Sequence, residues 1–136
     1  MTSPLPPVTA PTPQHALVLF AHGSRDPLWC QPIQAVADAI HAEIGAQAWV
    51  RCAYLELTAP HLNDVVAELS QLGVTQLRVL PMFLGMGRHA REDLPALVTQ
   101  LMGQYPHIHF ELLPSVGENP EVLKALAQAA LQNLSF

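Results

Sequence analysis

Short apolar runs alternate with longer amphipathic segments along most of the chain. The first run, residues 16–21, is continuously apolar, which is typical of a strand covered on both faces of a sheet. Three further strands are predicted at residues 49–54, 77–83 and 108–113. Apolar residues at helical spacing predict four helices, at residues 32–44, 58–73, 89–103 and 120–134.

The resulting βαβαβαβα order predicts an α/β protein with a four-stranded parallel sheet and helices on both faces, a three-layer sandwich. We expect the strand order 2-1-3-4, which makes the first and third strands neighbours. Two prolines are expected near helix starts, Pro60 in the first turn of the second helix and Pro95 in the first turns of the third. Ligands bind such sheets beyond the carboxyl ends of the strands, so polar residues in the loops after the strands are the functional candidates.

Composition and charge narrow the class of function. Half of the 136 residues are hydrophobic, only 12% are charged, and the formal net charge is −5. A chain of this length and composition can bury a core without disulfides. It lacks the clustered cations that phosphate recognition needs, so nucleic acid is not an expected partner. No apolar stretch approaches the roughly 18 residues of a membrane span, so a membrane is not expected either.

The first residues of the chain have a composition of their own. Residues 1–15 are rich in proline and predict a disordered tail, followed by a single domain over residues 16–136. The tail has neither the basic start nor the apolar stretch of a secretory signal. Cys30 and Cys52 form no C-x-x-C motif, so we expect a reduced, cytoplasmic protein with two ordinary thiols.

Two histidines follow strands that the predicted order makes neighbours. His22 comes directly after the first strand, and Gly23 lets the backbone turn sharply there. His89 comes after the third strand, within a glycine-containing loop. Although a lone histidine is more often structural than a ligand, these two would face each other across the crevice at the carboxyl edge of the sheet.

Glu56, at the end of the second strand, leaves two interpretations open. Its carboxylate either caps the turn at residues 58–60 or points into the same crevice. Two imidazoles and one carboxylate would suit iron, cobalt, nickel or zinc, and would suit magnesium or calcium poorly. The Irving–Williams order prevents such ligands from selecting one metal by themselves.

The other histidines are weaker candidates. His41 is predicted on the solvent face of the first helix, and His61 in the opening turn of the second. His107 and His109 share one face of the fourth strand, and the polar face of an edge strand is a simpler interpretation than a metal site.

Three arginines fall in the two loops that hold His22 and His89. Arg25, Arg88 and Arg91 either pair with neighbouring acidic side chains or form an anion-binding rim on an acidic protein. The start of the helix that follows His89 adds backbone N–H groups, whose partial positive charge attracts anions as the arginines do.

The chain resembles the small sirohydrochlorin chelatases, the class II chelatases of sirohaem and cobalamin synthesis. Three stretches carry the resemblance: L-F-A-H-G-S-R-D, Y-L-E-L-T-A-P and L-P-M-F-L-G-M-G-R-H-A-R-E-D-L-P. It extends over nearly all of residues 17–134, in order and with the expected loop spacing. It implies a chelatase-like, flavodoxin-like fold and a half-size enzyme that pairs as a homodimer, with the tetrapyrrole in a cleft between subunits.

The resemblance also implies the reaction and its residues. The enzyme would insert Co²⁺, Fe²⁺ or Ni²⁺ into sirohydrochlorin, with the metal as substrate and no organic cofactor. The metal-site histidines fall on His22 and His89, and the acidic metal-site residue of some members falls on Glu56. A neutral imidazole can hold a metal or accept a pyrrole proton near neutral pH. Arg25, Arg88 and Arg91 are predicted to bind the carboxylates of the substrate, and Ser24 is predicted to contribute to the same binding site.

Three other classes of function compete with this hypothesis. A non-catalytic carrier could hold cobalt or nickel through the same histidines. A histidine phosphatase needs an arginine immediately before its histidine, where this chain has Ala21. A small-molecule-binding flavodoxin-like module is disfavoured, because no phosphate loop such as G-x-G-x-x-G follows the first strand.

Overall fold

The computed structural model of the protein describes residues 12–136, which form four strands and four α-helices. The strands are β1 (His15–Ala21), β2 (Ala48–Tyr54), β3 (Gln76–Pro81) and β4 (His109–Leu112). The helices are α1 (Gln31–Ile44), α2 (Leu62–Gln71), α3 (Arg88–Gln104) and α4 (Pro120–Leu131). All strand pairs are parallel and the strand order is β2-β1-β3-β4, so the predicted α/β class and order 2-1-3-4 are confirmed.

Residues 1–11 of the tail predicted over residues 1–15 lie outside the described residues, so the disordered tail stays a prediction. Within residues 12–136, every helix falls short of the length and apolar character that a membrane crossing requires.

One face of the sheet packs against α2 and α3 to form the core. Alternate residues of β1 point to this face, as the two-residue period of a strand requires, and Phe20 is among them. The buried helix residues opposite are Leu62, Val65, Val66 and Leu69 of α2 and Leu94, Val98 and Leu101 of α3. α1 packs on the other face, against β1 and β2. The crossover from β1 to β2 runs in one direction across the sheet, and those from β2 to β3 and from β3 to β4 run in the other. Because such crossovers are right-handed, α1 lies on one face and α2 and α3 lie on the other.

α4 differs from the other helices because it covers little of the sheet. As far as the structure describes the chain, α4 buries none of its side chains, and its main contact is the short turn Val116–Glu118. Leu123, Leu126 and Leu131 are 45%, 48% and 55% exposed. The predicted helix is therefore present, but its apolar residues remain uncovered within a single chain.

The predicted positions of two prolines are wrong. α2 begins at Leu62, so Pro60 precedes the helix, and the backbone N–H of Tyr54 donates to the Pro60 carbonyl at 2.9 Å. This pairing ties the segment before α2 to the sheet. Pro95 lies inside the 17-residue α3. Because Pro95 has no N–H, the carbonyl of Arg91 loses its helical partner, and the exposed position of Arg91 lets water replace it.

The packing of α2 predicts how the core responds to truncation. Leu69 is fully buried, so Leu69→Ala should lower the free energy of unfolding by about 2–5 kcal/mol. Leu84→Ala is the matched control, because Leu84 is 64% exposed and its truncation should change stability by no more than about 0.5 kcal/mol. Urea unfolding measures both, and equal losses would contradict the packing of α2 on the sheet.

Candidate active site

The loops after β1, β2 and β3 meet at the carboxyl edge of the sheet and enclose a cavity of about 390 Å³. His22 follows the end of β1 and His89 lies in the first turn of α3, and both line this cavity. The strand order explains the meeting, because β1 and β3 are hydrogen-bonded neighbours in the middle of the sheet. A cavity at this edge is where open parallel sheets bind their ligands.

The wall of the cavity is mostly apolar. Phe20, Leu55, Phe83 and Leu94 all line it. The ring of Phe83 stands edge-on to the His22 imidazole, with ring centroids 6.4 Å apart and planes at 79°. An aromatic ring here restricts the orientations open to His22. Phe83 was not among the predicted site residues, although an aromatic residue at the end of a predicted strand that leads to the site was a usable signal.

His22 and Glu56 lie side by side. The His22 Nε2 atom is 3.4 Å from Glu56 Oε1, and the two side chains are 57% and 55% exposed. This distance is longer than a well-formed N–H···O hydrogen bond, so the contact is a loose one. Of the two interpretations left open for Glu56, capping of the turn is not seen among the described residues, since the Thr58 N–H donates to the backbone carbonyl of Glu56. The Glu56 carboxylate contacts His22, although Glu56 is not among the residues that line the cavity.

The three predicted metal ligands are not assembled in advance. Within residues 12–136, no three His, Cys, Asp or Glu side chains are grouped closely enough to hold a metal ion. His22 and Glu56 form one pair, and His89 approaches the cavity from α3. A metal bound by the pair would keep open positions for other ligands, as catalytic sites do.

The four residues predicted to bind the substrate occupy different places. Arg88 lines the cavity and pairs with Glu92 at 3.3 Å, in a contact that water screens strongly. Arg91 lines a neighbouring cavity of about 340 Å³ beside Glu118. Arg25 is exposed on the loop after β1. The Ser24 hydroxyl accepts the Asp26 N–H at 3.1 Å, so it helps to order its own loop.

Residues outside this edge are poorer ligand candidates. His41 is exposed on α1, as predicted, and His109 begins the edge strand β4. His107 contacts the Ser70 hydroxyl at 3.0 Å through Nε2. Burial raises the pKa of the Cys52 thiol, so this cysteine stays protonated near neutral pH and is a weak metal ligand.

Gly23 predicts a stability contrast between two identical substitutions. Gly23 has a φ of +102°, and a Cβ atom there would lie 1.8 Å from the Glu56 carbonyl oxygen. Gly23→Ala should therefore lower the free energy of unfolding by at least about 1–3 kcal/mol. Gly103→Ala, in α3 with no atom within 4 Å of the added Cβ, should raise it by up to about 1 kcal/mol. Chemical denaturation checks both signs, and a neutral Gly23→Ala would refute the close approach of the two loops.

Comparison with known proteins adds three findings. The chain matches the protein family described as CbiX over residues 16–133. It is 32% identical to the sirohydrochlorin cobaltochelatase of Methanopyrus kandleri over 83 residues, which cover 61% of this chain and 57% of that relative. The chain therefore spans less than two thirds of the length of this curated relative.

Two solved structures share the fold. A cobalamin (vitamin B12) biosynthesis CbiX protein from Marinobacter aquaeolei VT8 superimposes with a TM-score of 0.77 at 32% identity, over 87% of this chain and 95% of that one. The sirohydrochlorin chelatase SirB from Bacillus subtilis subspecies spizizenii, in complex with cobalt, gives a TM-score of 0.75 at 25% identity. That match covers 88% of this chain and 51% of SirB.

Proposed function

Because the chain belongs to the CbiX family, we propose that it is a chelatase that inserts a divalent metal ion into sirohydrochlorin. The observation that carries this proposal is the pair of histidines, His22 and His89, on the wall of one cavity at the carboxyl edge of the sheet. The names of the relative and of one structural neighbour support the same reaction.

The chemistry of insertion fits what these side chains can do. Two pyrrole N–H protons must leave the macrocycle while the metal sheds water and meets the ring nitrogens. A neutral imidazole can do either job, as a metal ligand or as a proton acceptor. His22 is better suited than His89 to hold the metal, because the Glu56 carboxylate beside the His22 imidazole adds negative charge for a cation. His89 is then the proposed proton acceptor.

The surroundings of the cavity suit an anionic macrocycle. The apolar wall offers a surface for the ring system, and Arg88 lines the same cavity. As far as the described residues show, no side chain caps the start of α3 at Gly87, so the first N–H groups of this 17-residue helix are left for an anion. Arg25 and Arg91 are proposed to meet carboxylates that extend beyond the cavity.

Cobalt is the first metal to test, because the relative is named a cobaltochelatase and SirB was solved with cobalt. Fe²⁺ and Ni²⁺ suit the same nitrogen and oxygen ligands. No organic cofactor is required by this proposal. We also propose a cytoplasmic location, since Cys30 and Cys52 are free thiols of the kind that a reducing compartment maintains.

Anaerobic insertion assays test the proposal. The absorption spectrum of sirohydrochlorin is followed with Co²⁺, Fe²⁺ or Ni²⁺, and the protein should accelerate insertion over the protein-free control. His22→Ala and His89→Ala should each lower the rate at least about 100-fold, because each removes a ligand or a proton acceptor. His41→Ala is the matched control, since His41 is exposed on α1 and should leave the rate unchanged.

The same assay separates the carrier hypothesis from the chelatase. A carrier would bind Co²⁺ through His22 and Glu56 without accelerating insertion of any metal. Near-native insertion by both histidine variants would refute the assigned roles of His22 and His89, even if the protein proved to be a chelatase.

We propose further that the protein is a homodimer in which α4 of each chain covers apolar surface of the other. α4 leaves its apolar residues exposed. An open cavity of about 500 Å³, lined by Leu80, Leu113 and Val116, lies beside the start of α4. Each of two copies has an uncovered α4 and an uncovered apolar cavity. In a symmetric dimer, α4 of each copy would pack on the cavity of the other and cover all four apolar surfaces.

The dimer is tested by light scattering after size-exclusion chromatography. The native protein should have twice the mass of one chain, and Leu126→Glu in α4 should shift it towards the monomer because a charge cannot be buried at an apolar interface. Met102→Glu is the control, because Met102 lies on α3 and is 44% exposed, close to the 48% of Leu126. A monomeric native protein would rule out the exchange.

A further inference from the structure

We infer that Thr58 is a positioning residue, whose hydroxyl group ties the loop after β2 to the loop after β1 and so holds Glu56 against His22. The inference rests on the proposed function for its consequence in the reaction. Its structural basis is a set of contacts between two loops that belong to neighbouring strands.

The Thr58 hydroxyl serves both polar groups of one residue in the other loop. Its Oγ1 atom accepts the backbone N–H of Ser24 at 3.0 Å and donates to the carbonyl of the same residue. Thr58 and Ser24 are 34 positions apart in sequence, so these bonds join two separate loops rather than order one turn. Within residues 12–136, no side-chain cap is seen at the start of α2, which begins at Leu62, so the hydroxyl is used for the loop contact and not for the helix.

The backbone pairing of the sheet leads directly into this contact. Two backbone hydrogen bonds follow at the ends of β1 and β2. The N–H of Leu55 donates to the carbonyl of Ala21 at 2.9 Å, and the N–H of Glu56 donates to the carbonyl of His22 at 3.1 Å. The second of these bonds joins the backbones of His22 and Glu56 directly. Just beyond that point, where the strand pairing ends, Thr58 links the two loops by its hydrogen bonds to Ser24.

The turn between Glu56 and Thr58 has an unfavourable backbone conformation that contacts from another loop can stabilise. Leu57 has a φ of +65°, in the left-handed region that leucine rarely adopts, and the Thr58 N–H bonds to the Glu56 carbonyl at 2.7 Å. Leu57 is 53% exposed, so its burial does little to offset the unfavourable conformation. The bonds between Thr58 and Ser24 hold the turn in place from outside.

Side-chain packing cannot replace this restraint. His22 and Glu56 are both more than half exposed, and 3.4 Å is too long for a strong hydrogen bond. Their relative position is therefore set mainly by their backbones. Loss of the Thr58 hydroxyl leaves the Ser24 N–H and carbonyl without their partner and frees the Glu56 turn to move away from His22.

The kinetic consequence is specific. His22 and Glu56 act on the metal and not on the periphery of the macrocycle, so a misplaced pair should lower kcat and Co²⁺ affinity while KM for sirohydrochlorin stays unchanged. A role confined to general stability would not produce this split. A displacement of about 1 Å can lower a rate by roughly 100-fold, so we expect a decrease of about 10- to 100-fold.

Three threonine variants test the inference. Thr58→Val removes the hydroxyl, Thr58→Ser keeps it, and Thr99→Val removes a threonine hydroxyl that donates only to the Pro95 carbonyl within α3. Steady-state insertion of Co²⁺ into sirohydrochlorin gives kcat and KM, and calorimetric titration with Co²⁺ alone gives the affinity. Thr58→Val should lose kcat and Co²⁺ affinity, whereas Thr58→Ser and Thr99→Val should resemble the native protein. If Thr58→Val does not fold, Thr58→Ala removes the same hydroxyl without a branched side chain.

The outcomes for the inference and for the proposed function are distinct. Native insertion and native Co²⁺ affinity in folded Thr58→Val would overturn the positioning role and leave the chelatase intact. If the native protein binds Co²⁺ without inserting it, the chelatase proposal fails, and a weaker affinity in Thr58→Val than in Thr58→Ser still supports the positioning role. If the native protein neither inserts nor binds Co²⁺, both are refuted.

Discussion

The parallel pairing of β1 with β2 is the interaction on which the candidate site depends. It runs in unbroken register from His15 opposite Ala48 to Ala21 opposite Tyr54, and two further backbone hydrogen bonds continue it into the loops. β1 also pairs with β3 and is therefore a central strand, with backbone partners on both sides. A histidine directly after such a strand starts from one of the most constrained backbone positions in the fold.

His89 depends on a different set of contacts. It lies at the start of α3, and the position of α3 is set by Leu94 and its other buried residues. The loop that leads to α3 is fixed at its root by Ser115, whose buried hydroxyl bonds to the backbone of Pro81 and Phe83. The two histidines therefore have separate supports, and a change in the packing of α3 can move one relative to the other.

The sequence allows the fold to be predicted because its signals are local and repeated. The continuous apolar run of β1 marks a strand buried on both faces, and the alternation of strands and helices restricts the topology to few choices. That topology in turn brings His22 and His89 to one edge. The positions of Pro60 and Pro95 could not be predicted in this way. Pro60 is set by a hydrogen bond from Tyr54 across the chain, and Pro95 is tolerated because the carbonyl it leaves unpaired is on an exposed part of α3.

Part of the candidate site could be predicted from the sequence, because the strand order places the loops that carry its residues at one edge of the sheet. Glu56 could be placed at the edge of the sheet, but the direction of its side chain depends on the loop contact between Thr58 and Ser24. Thr58 is a common residue before a helix, so its role in a contact between loops is visible only in three dimensions. The uncovered face of α4 is likewise invisible to periodicity, because an amphipathic pattern shows that a helix needs a partner and not which chain provides it.

The proposed metal ligands are divided between two supports, which would suit a metal that must be given up. A structural metal site surrounds its ion with four protein ligands and holds it permanently. Here His22 and Glu56 form a half-exposed pair, and His89 belongs to another element. Under the proposed function, an ion held by such a pair would retain coordination positions for the nitrogens of a macrocycle, which could then replace the protein ligands one after another. Such a division would favour transfer over retention, because the nitrogens of the product would outnumber the ligands of the pair.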